Sequence, residues 1–405
     1  MVFAIEPAAL PLAHRLWRRL PMRGRRAALS TAGRLLASRP DAVAPPLADL
    51  MAPGIAVAGE FSRPCGLTEA ARLTVAGLRH LGWEPRAVDV SWRGAGLGGV
   101  ALAGATPLVV HINAPDMPAA LLRLGRQATR GRKVIGAWAW ELPVAPSAWF
   151  AGAAYAHEIW APSRFTAAAL ESILPGRVRV VTPPVAIAPP VPAALDRAAF
   201  ALPSDAVVVL TSFDLASSFA RKNPLAAIAA FRGAFADDPR YVLLLKIGNP
   251  GHFPADFAAI RAAVAGAKNI HLETRSLPRA DNHALMACAD IVLSLHRAEG
   301  FGLVLAEAML LGKPVIATGW SGNLDFMDAA TAVLVRPRMV PAADPRGVYD
   351  IAHTQWAQPS LGEAMAALRW LAGDNVARMA LGARGKVLAT RRLGTESLAA
   401  ALAGL

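Results

Sequence analysis

Short apolar runs alternate with longer, alanine-rich segments along most of the 405-residue chain. Apolar runs of this length predict strands buried on both faces, and most of the segments between them predict helices. In the first half, we expect strands at 54–58, 85–90, 107–113, 133–140 and 158–161. In the second half, we expect strands at 207–212, 242–247, 269–273, 291–295 and 315–318. This β/α alternation predicts parallel sheets covered by helices on both faces.

Proline-rich stretches at 41–50 and 180–192 read as linkers between these regions. They divide the chain into an arm and linker at 1–50, a first domain at 51–185, a second domain at 193–358 and a helical end at 359–405. Within that end, we expect helices at 361–371 and 376–388.

Composition limits the class of protein. The chain is 54% hydrophobic, but no window of 18 residues is free of polar side chains, so we expect no transmembrane helix. The apolar start contains Glu6 and precedes its basic cluster, which is the wrong order for a secretory signal. Cys65 and Cys288 are isolated in the sequence, which favours neither a metal site nor a disulfide. We expect a cytoplasmic location.

The formal charge of +13 is concentrated in the N-terminal arm. Its eight arginines are Arg15, Arg18, Arg19, Arg23, Arg25, Arg26, Arg34 and Arg39. Together with Trp17, they suit the anionic inner face of a membrane. They also suit nucleic-acid phosphates, but no nucleic-acid-reading motif accompanies them, so we expect no such partner. A loosely packed arm without a partner stays open as an alternative.

The candidate chemistry centres on Glu299-Gly-Phe-Gly-Leu-Val-Leu-Ala-Glu307. The strand before it and a helix at 303–311, closed by Gly312, place Glu299 at the carboxyl edge of a sheet, where open α/β sheets bind ligands. Glu307 is the only charged residue of that apolar helix. Burying its carboxylate is costly without hydrogen-bond donors, which a ligand would supply.

This motif and the segments 294–302, 312–319 and 321–326 resemble the retaining glycosyltransferases of family 4, or glycosyl transferases group 1. The resemblance implies a GT-B fold, in which two Rossmann-like, doubly wound domains face each other and the helices at 359–405 cross back onto the first. It also implies that Glu299 holds the hydroxyls of a sugar and Glu307 holds a ribose. The backbone N–H groups that would face the sugar and diphosphate belong to Gly300, Phe301, Gly302 and Leu303.

A second cluster of candidates surrounds Lys222. Asn223 suits an N-cap and Pro224 suits the first position of a helix, whose N-terminus favours anions. By resemblance, Lys222 contacts the diphosphate. The family's preceding arginine is missing, since Ala216 and Ser217 stand at its place, and Arg221 is the candidate substitute.

Further candidates lie on loops that follow predicted strands. Ser321, Gly322 and Asn323 form a turn that either brings backbone N–H groups to phosphate or binds no ligand. Gly66 resembles the glycine that lets the first domain's loop reach the diphosphate. Glu141 follows Trp138-Ala-Trp140, where many relatives carry a histidine. It either orients the sugar or acceptor, or is a structural carboxylate bonded to the backbone.

No Asp-x-Asp occurs in the chain, so we expect neither a metal nor a cofactor, and Lys222 and backbone donors to neutralise the diphosphate instead. Catalysis would then consist of charge stabilisation, without a dedicated nucleophile. His111 is expected to be a core histidine.

These observations and the resemblance predict a retaining, metal-independent hexosyltransferase of cell-surface polysaccharide synthesis. Its donor would be a GDP- or UDP-linked hexose and its acceptor a glycan or lipid-linked saccharide. Two alternatives remain open, a nucleotide-sugar 2-epimerase and a non-catalytic glycan-binding protein. The epimerases need additional acidic and histidine residues around the sugar, and the sequence contains no convincing set.

Overall fold

The computed structural model describes residues 31, 33–43, 54–63, 65–91, 106–125 and 127–405. Six of the arm's eight arginines, Trp17 and most of the predicted linker at 41–50 lie outside these residues. The described part of the arm packs on the first domain. The Tyr155 hydroxyl donates to Arg34 O at 2.8 Å, and Gly131 N donates to the Asp41 carboxylate at 2.8 Å. Asp41, the first residue of the predicted linker, is thus in contact with the first domain, and the linker stays a prediction.

The first sheet contains six parallel strands in the order β2-β1-β3-β4-β5-β6. Its strands are β1 (Gly54–Gly59), β2 (Glu84–Asp89), β3 (Leu108–Val110), β4 (Val134–Ala137), β5 (Glu158–Ala161) and β6 (Val178–Val180). The helices of this half are α1 (Gly66–His80), α2 (Met117–Arg123), α3 (Phe150–Ala153) and α4 (Arg164–Leu170).

The second sheet is also parallel, with the order β12-β11-β10-β7-β8-β9. Its strands are β7 (Val207–Asp214), β8 (Tyr241–Gly248), β9 (Ile270–Glu273), β10 (Ile291–Ser294), β11 (Val315–Thr318) and β12 (Val333–Val335). Its helices are α5 (Phe219–Lys222), α6 (Pro224–Phe235), α7 (Pro254–Ala263), α8 (Arg279–Cys288) and α9 (Leu303–Leu310). The order reverses between β7 and β10, which makes this pair the switch point where ligands bind in doubly wound sheets.

The inner strands of both sheets are buried on their two faces, as the apolar runs predict, whereas the edge strand β2 is mostly exposed. In β3, Leu108 and Val110 belong to one core cluster and Val109 to the cluster on the opposite face. In β7, Val208 and Val209 likewise lie in different clusters. Alternate side chains of each strand therefore pack beneath different helix layers.

Two predicted strands are longer than those observed. The prediction at 107–113 corresponds to β3, and that at 133–140 to β4. Beyond the ladder, Asn113 takes over the pairing: its amide nitrogen donates to Ala139 O at 3.0 Å and its amide oxygen accepts from Ala139 N at 2.9 Å. The chain leaves the sheet here, towards the cleft between the two sheets.

An antiparallel hairpin follows β12, with strands β13 (Pro337–Pro341) and β14 (Gln355–Pro359). The chain ends in α10 (Leu361–Gly373), α11 (Asn375–Arg392) and α12 (Glu396–Leu402). Helix α12 packs on the first sheet, where Leu398 and Leu402 join the cluster of Ile55 and Val57. Helix α10 packs on the second sheet, because Leu368 and Leu371 extend its core. The expected crossing of the whole segment 359–405 is thus corrected to its last helix.

Candidate active site

Glu299 lies on the loop that follows β10, at the switch point of the second sheet. Its carboxylate is 8% exposed and its backbone is held from both sides. Glu299 N donates to Ser321 Oγ at 2.9 Å, and Gly322 N donates to Glu299 O at 2.9 Å. The turn after β11 therefore fixes the loop that carries this carboxylate.

Two cations from the neighbouring β7 loop hold the Glu299 side chain. Lys222 Nζ is 2.5 Å from Oε1, and Arg221 Nη1 is 3.2 Å from Oε2. Burial alone would raise the pKa of Glu299, but Lys222 and Arg221 outweigh it and lower that pKa to about 2. The carboxylate therefore stays ionised at neutral pH. The structure thus brings together Lys222 and Glu299, which are 77 residues apart in sequence.

Arg221 lies beneath this pair and is only 3% exposed. Its guanidinium donates to Ala298 O at 2.7 Å and to Ser217 O at 2.9 Å, and approaches the Glu141 carboxylate to 3.6 Å. The predicted direct contact of Arg221 with the diphosphate does not fit this burial. Lys222 is the more exposed of the two cations, and its ammonium is the one that a ligand can reach.

Glu141 enters the site from the first sheet, after β4. One carboxylate oxygen faces Arg221, and the other accepts a hydrogen bond from the Tyr349 hydroxyl at 2.9 Å. Both partners are side chains, which corrects the alternative that Glu141 is bonded to the backbone. Tyr349 comes from the β13–β14 hairpin and was not predicted, because nothing in the local pattern indicates that this hairpin reaches the first sheet.

The Gly300–Gly302 turn joins the two sheets. Gly300 O accepts hydrogen bonds from Ser163 Oγ at 2.6 Å and Thr166 Oγ1 at 3.2 Å, both at the start of α4. Ser163 also caps α4 by accepting from Thr166 N at 3.1 Å. Gly302 adopts a φ of 99°, which favours glycine, and directs the chain into α9.

Helix α9 begins at Leu303, so the free N–H groups of its first turn are available for an anion in front of Gly302. At this anion position, only the backbone of Phe301 is available. Its ring is buried against Phe326, with the ring centres 4.9 Å apart.

Ser321, Gly322 and Asn323 support the loop from below. Besides the bonds to Glu299, the buried Asn323 amide donates to Thr318 O at 3.1 Å and faces His296 Nε2 at 3.2 Å. Burial lowers the pKa of His296, which keeps its ring neutral beside this amide. The Gly322 N–H is already bonded to Glu299 O, so the predicted approach of this N–H to phosphate is corrected to a supporting role.

Glu307 points from α9 towards α8, where His283 Nε2 is 3.5 Å from its carboxylate. His283 is buried, and its Nδ1 accepts a hydrogen bond from Val191 N at 3.0 Å. Because Nδ1 is the acceptor, Nε2 carries the proton and faces the carboxylate. His283 is a neighbour of Glu307 that the sequence did not reveal, since a lone histidine in an amphipathic helix carries no signal.

Gly66, the first residue of α1, is exposed on the first domain. A Cβ at this position would meet no atom within 4 Å, so sterics alone do not require glycine here. Three residues on, Glu69 pairs with Arg279 of α8 at 2.8 Å, which gives a second bridge between the two halves. The predicted reach of the Gly66 loop to the diphosphate stays a prediction.

His111 is a core histidine, as expected. It is 6% exposed at the end of β3, and burial lowers its pKa to about 3. Within the part of the chain that the structure describes, no group of three or more His, Cys, Asp or Glu side chains could hold a metal ion. Among the described helices, none has both the length and the apolar character needed to cross a bilayer.

Comparison with protein families places this site in a known domain. Residues 215–348 match the family described as Glycosyl transferases group 1. This stretch is therefore similar to group 1 glycosyltransferase domains. It contains Lys222, Glu299 and Glu307, and it extends through the hairpin loop as far as Val348.

Two curated relatives resemble parts of the chain. D-inositol 3-phosphate glycosyltransferase of Jonesia denitrificans is 37% identical over 99 residues, or 24% of this chain. N-acetyl-alpha-D-glucosaminyl L-malate synthase of Bacillus anthracis is 48% identical over 58 residues, or 14% of this chain. The matches span only 23% and 15% of the relatives' own lengths.

The whole fold resembles solved glycosyltransferase structures. Anabaena Alr3699/HepE, solved in complex with UDP and glucose, matches with a TM-score of 0.58 and 14% identity, covering 87% of this chain and 100% of that protein. At this identity, the likeness establishes the fold. The group 1 domain and the sheet that faces it thus form a GT-B fold, as the sequence predicts.

Proposed function

We propose that the chain is a retaining glycosyltransferase that transfers a hexosyl group from a nucleotide-diphospho-sugar to a glycan or lipid-linked acceptor. The observation that carries the proposal is the pairing of Lys222 with Glu299 at the switch point of a group 1 domain. A partly exposed cation and an ionised carboxylate side by side match two adjoining groups of such a donor. The cation suits the diphosphate, and the carboxylate suits the hydroxyls of the sugar.

The donor would lie across the carboxyl edge of the second sheet. Its diphosphate would face Lys222 and the N-terminus of α9, and its ribose would face Glu307. Lys222 pairs with Glu299, and a diphosphate beside it would give the ammonium a second anionic partner. Paired on both sides, the ammonium would not carry the cost of an isolated buried charge.

In this arrangement the protein stabilises charge and leaves bond-making to the reactants. As the bond between sugar and phosphate breaks, negative charge grows on the diphosphate beside Lys222, and positive charge grows on the sugar beside Glu299. Groups already in place for both charges lower the barrier without reorganisation. We infer attack by the acceptor on the face from which the diphosphate leaves, which retains the configuration of the sugar.

Support for a uridine donor comes from the Anabaena protein, whose structure contains UDP and glucose. We therefore propose UDP-hexose as the first donor to test, with GDP-hexose as the second. The base would lie near residues 274–277. There, Lys246 Nζ donates to Arg275 O at 2.6 Å, which orders the main chain that would recognise it.

Thermal unfolding with UDP, GDP, TDP and ADP tests this site. A ligand at a hundredfold excess over its Kd stabilises the folded state by about 2.7 kcal/mol, so one of the four should raise Tm clearly. Lys222→Ala should weaken that nucleotide by about ten- to a hundredfold, because a charge-assisted bond contributes roughly 1.5–3 kcal/mol.

The matched control is Lys386→Ala, which removes an exposed lysine of α11 and should leave binding unchanged. A nucleotide shift that survives Lys222→Ala at full size would contradict the phosphate assignment. The absence of a shift with all four nucleotides would contradict the proposal as a whole.

We further propose that the N-terminal arginines bind the cytoplasmic face of an anionic membrane, where lipid-linked acceptors would be available. Residues 33–43 pack on the first domain, so deleting the arm would disturb that packing. Replacing the six arginines at 15–26 by glutamine avoids this problem. This variant should lose binding to anionic vesicles, and the wild-type affinity should fall with salt. Equal sedimentation of both proteins would exclude the arm as the membrane contact.

A further inference from the structure

The loop of the β13–β14 hairpin, residues 342–354, reaches back over the site. Asp344 orders the loop by accepting from Val348 N at 3.0 Å, and its other oxygen lies 3.4 Å from Ser218 Oγ. Arg346 pairs with Asp256 and lies over the Phe253 ring. These contacts attach the part of the loop that precedes Tyr349 to the second domain.

Tyr349 follows this part of the loop and is 5% exposed. Its ring stacks on Trp140 of the first domain, with the ring centres 5.2 Å apart and the planes at 29°. Its hydroxyl donates to Glu141, and the Arg221 guanidinium lies 5.6 Å from the ring centre. One side chain of the second domain thus touches a ring and a carboxylate of the first domain and the buried cation of the site.

The two oxygens of Glu141 have different partners. Oε1 faces Arg221 at 3.6 Å, and Oε2 receives the Tyr349 proton at 2.9 Å. Burial raises the pKa of Tyr349 well above its ordinary value, so the hydroxyl remains a donor across the physiological range. Without this donor, nothing else among the described contacts of Glu141 keeps the carboxylate turned towards Arg221.

We propose that Tyr349 is a positioning residue, which holds Glu141 on Arg221 and thereby keeps the Arg221 guanidinium directed at Glu299. This role rests on the proposed function, since it acts in the end on Glu299, the carboxylate proposed to face the sugar. Glu141 belongs to the first sheet and Tyr349 to the second, so their bond exists only while the two sheets are together. The bond therefore contributes to the closed, reactive arrangement and not to nucleotide binding, which uses Lys222 and Glu307.

Tyr349→Phe tests the role, because it removes the hydroxyl and keeps the stacking ring. We expect kcat to fall about ten- to a hundredfold, as for the loss of a hydrogen bond to a charged group, while the Kd for UDP changes less than about twofold. Tyr155→Phe is the matched control. It removes the hydroxyl that donates to Arg34 O, on a buried tyrosine of the first domain, and should leave kcat unchanged.

A double-mutant cycle with Glu141→Gln completes the test. If the hydroxyl acts through the carboxylate, adding Tyr349→Phe to Glu141→Gln should cost less than about twofold more in kcat. Fully additive losses would overturn the proposal. A Tyr349→Phe variant that keeps the kcat of Tyr155→Phe would also overturn it. The same holds if the UDP affinity of Tyr349→Phe falls by as large a factor as its kcat. A wild-type protein that binds nucleotide but transfers no sugar would instead contradict the proposed function, and this role with it.

Discussion

At the scale of single residues, the charge of Glu299 organises its surroundings. Lys222 and Arg221 converge on it from the β7 loop, and the low pKa of about 2 records how strongly they favour its ionised form. Glu307 has a different environment: among the described residues, its partner is His283 of α8, whose Nε2 lies 3.5 Å from the carboxylate. The carboxylates of Glu299 and Glu307 thus belong to one motif but have different electrostatic surroundings.

This difference predicts separate effects for the two glutamates. Glu307→Gln should weaken UDP and the complete donor alike, by about ten- to a hundredfold, because both contain the ribose. Glu299→Gln should lower kcat while leaving UDP affinity unchanged or tighter, since it releases Lys222 from its partner. Calorimetry with UDP and steady-state kinetics on both variants measure the two effects. Weaker UDP binding in Glu299→Gln, to the same degree as in Glu307→Gln, would show that the roles are not divided in this way.

His111 predicts a pH dependence of stability. Its folded-state pKa of about 3 lies below the unfolded value near 6.5, so the unfolded state binds the proton first and stability falls as pH drops below 6.5. Between pH 6.5 and 5, this loss is about 1–2 kcal/mol. Urea unfolding of His111→Gln should show a smaller loss than wild type over that range. The exposed His80→Gln is the control and should follow wild type. An equal loss in His111→Gln would contradict the neutral, buried imidazole.

At the scale of elements, the loops after β10 and β11 form one unit. Their closest approach is at Gly322, where a Cβ would lie 2.2 Å from Gly300 O and 2.9 Å from Glu299 O. The same Gly300 carbonyl is bonded to α4 of the first domain. The backbone of this turn is thus enclosed from both sides, which sets the position of Glu299 more tightly than its own side-chain contacts do.

Gly322→Ala should therefore disturb both stability and activity. The added methyl must move the Glu299–Gly300 backbone, and overpacking of this kind costs roughly 1–3 kcal/mol. We expect a lower Tm and a loss of kcat larger than the loss of UDP affinity. Gly362→Ala in α10 is the control, because a Cβ at this position meets nothing within 4 Å. This substitution should stabilise the folded protein slightly. Wild-type turnover in Gly322→Ala would exclude this loop as the part that positions Glu299.

At the scale of the whole molecule, specific polar bridges join the two halves, in addition to apolar packing such as that of Tyr349 and Trp356 on the core of the first domain. Helix α4 bonds to the Gly300 turn, Arg279 pairs with Glu69, and Tyr349 binds Glu141. A further ion pair joins Arg164 to Asp325, which also accepts from Arg164 N at 2.7 Å. These bridges enclose the candidate site between the sheets.

The composition of this cleft predicts an activity that needs no divalent metal. In the proposed arrangement, Lys222 and the N-terminus of α9 supply the charge that faces the diphosphate, and the sequence lacks an Asp-x-Asp. Turnover should therefore persist after dialysis against excess EDTA. The assay compares the dialysed enzyme with the same enzyme after Mg²⁺ or Mn²⁺ is added back. Activity lost on dialysis and restored by either ion would disprove metal independence.

The sequence alone determined the local parts of this protein. Apolar runs located ten strands of the two sheets, because strands buried on both faces leave a continuous signal. The strands it missed in those sheets, β6 and β12, have three residues each, too few for a pattern. The Glu299–Glu307 motif indicated the family, and Ser163, Pro224 and Gly312 marked helix boundaries, since caps depend on neighbours in sequence.

The tertiary structure alone decided which of these parts meet. Arg221 appeared as a phosphate ligand in sequence, yet folding buried it between Glu141 and Glu299, from two different sheets. Ser321 and Asn323 support the loop that carries Glu299. The sequence did not show this, because their partners lie about 20 residues away, after β10. Tyr349 carried no local signal, since its contacts with Trp140 and Glu141 span some 200 residues. Periodicity and capping report on nearby residues, whereas contacts across a cleft depend on how two independently formed sheets are brought together.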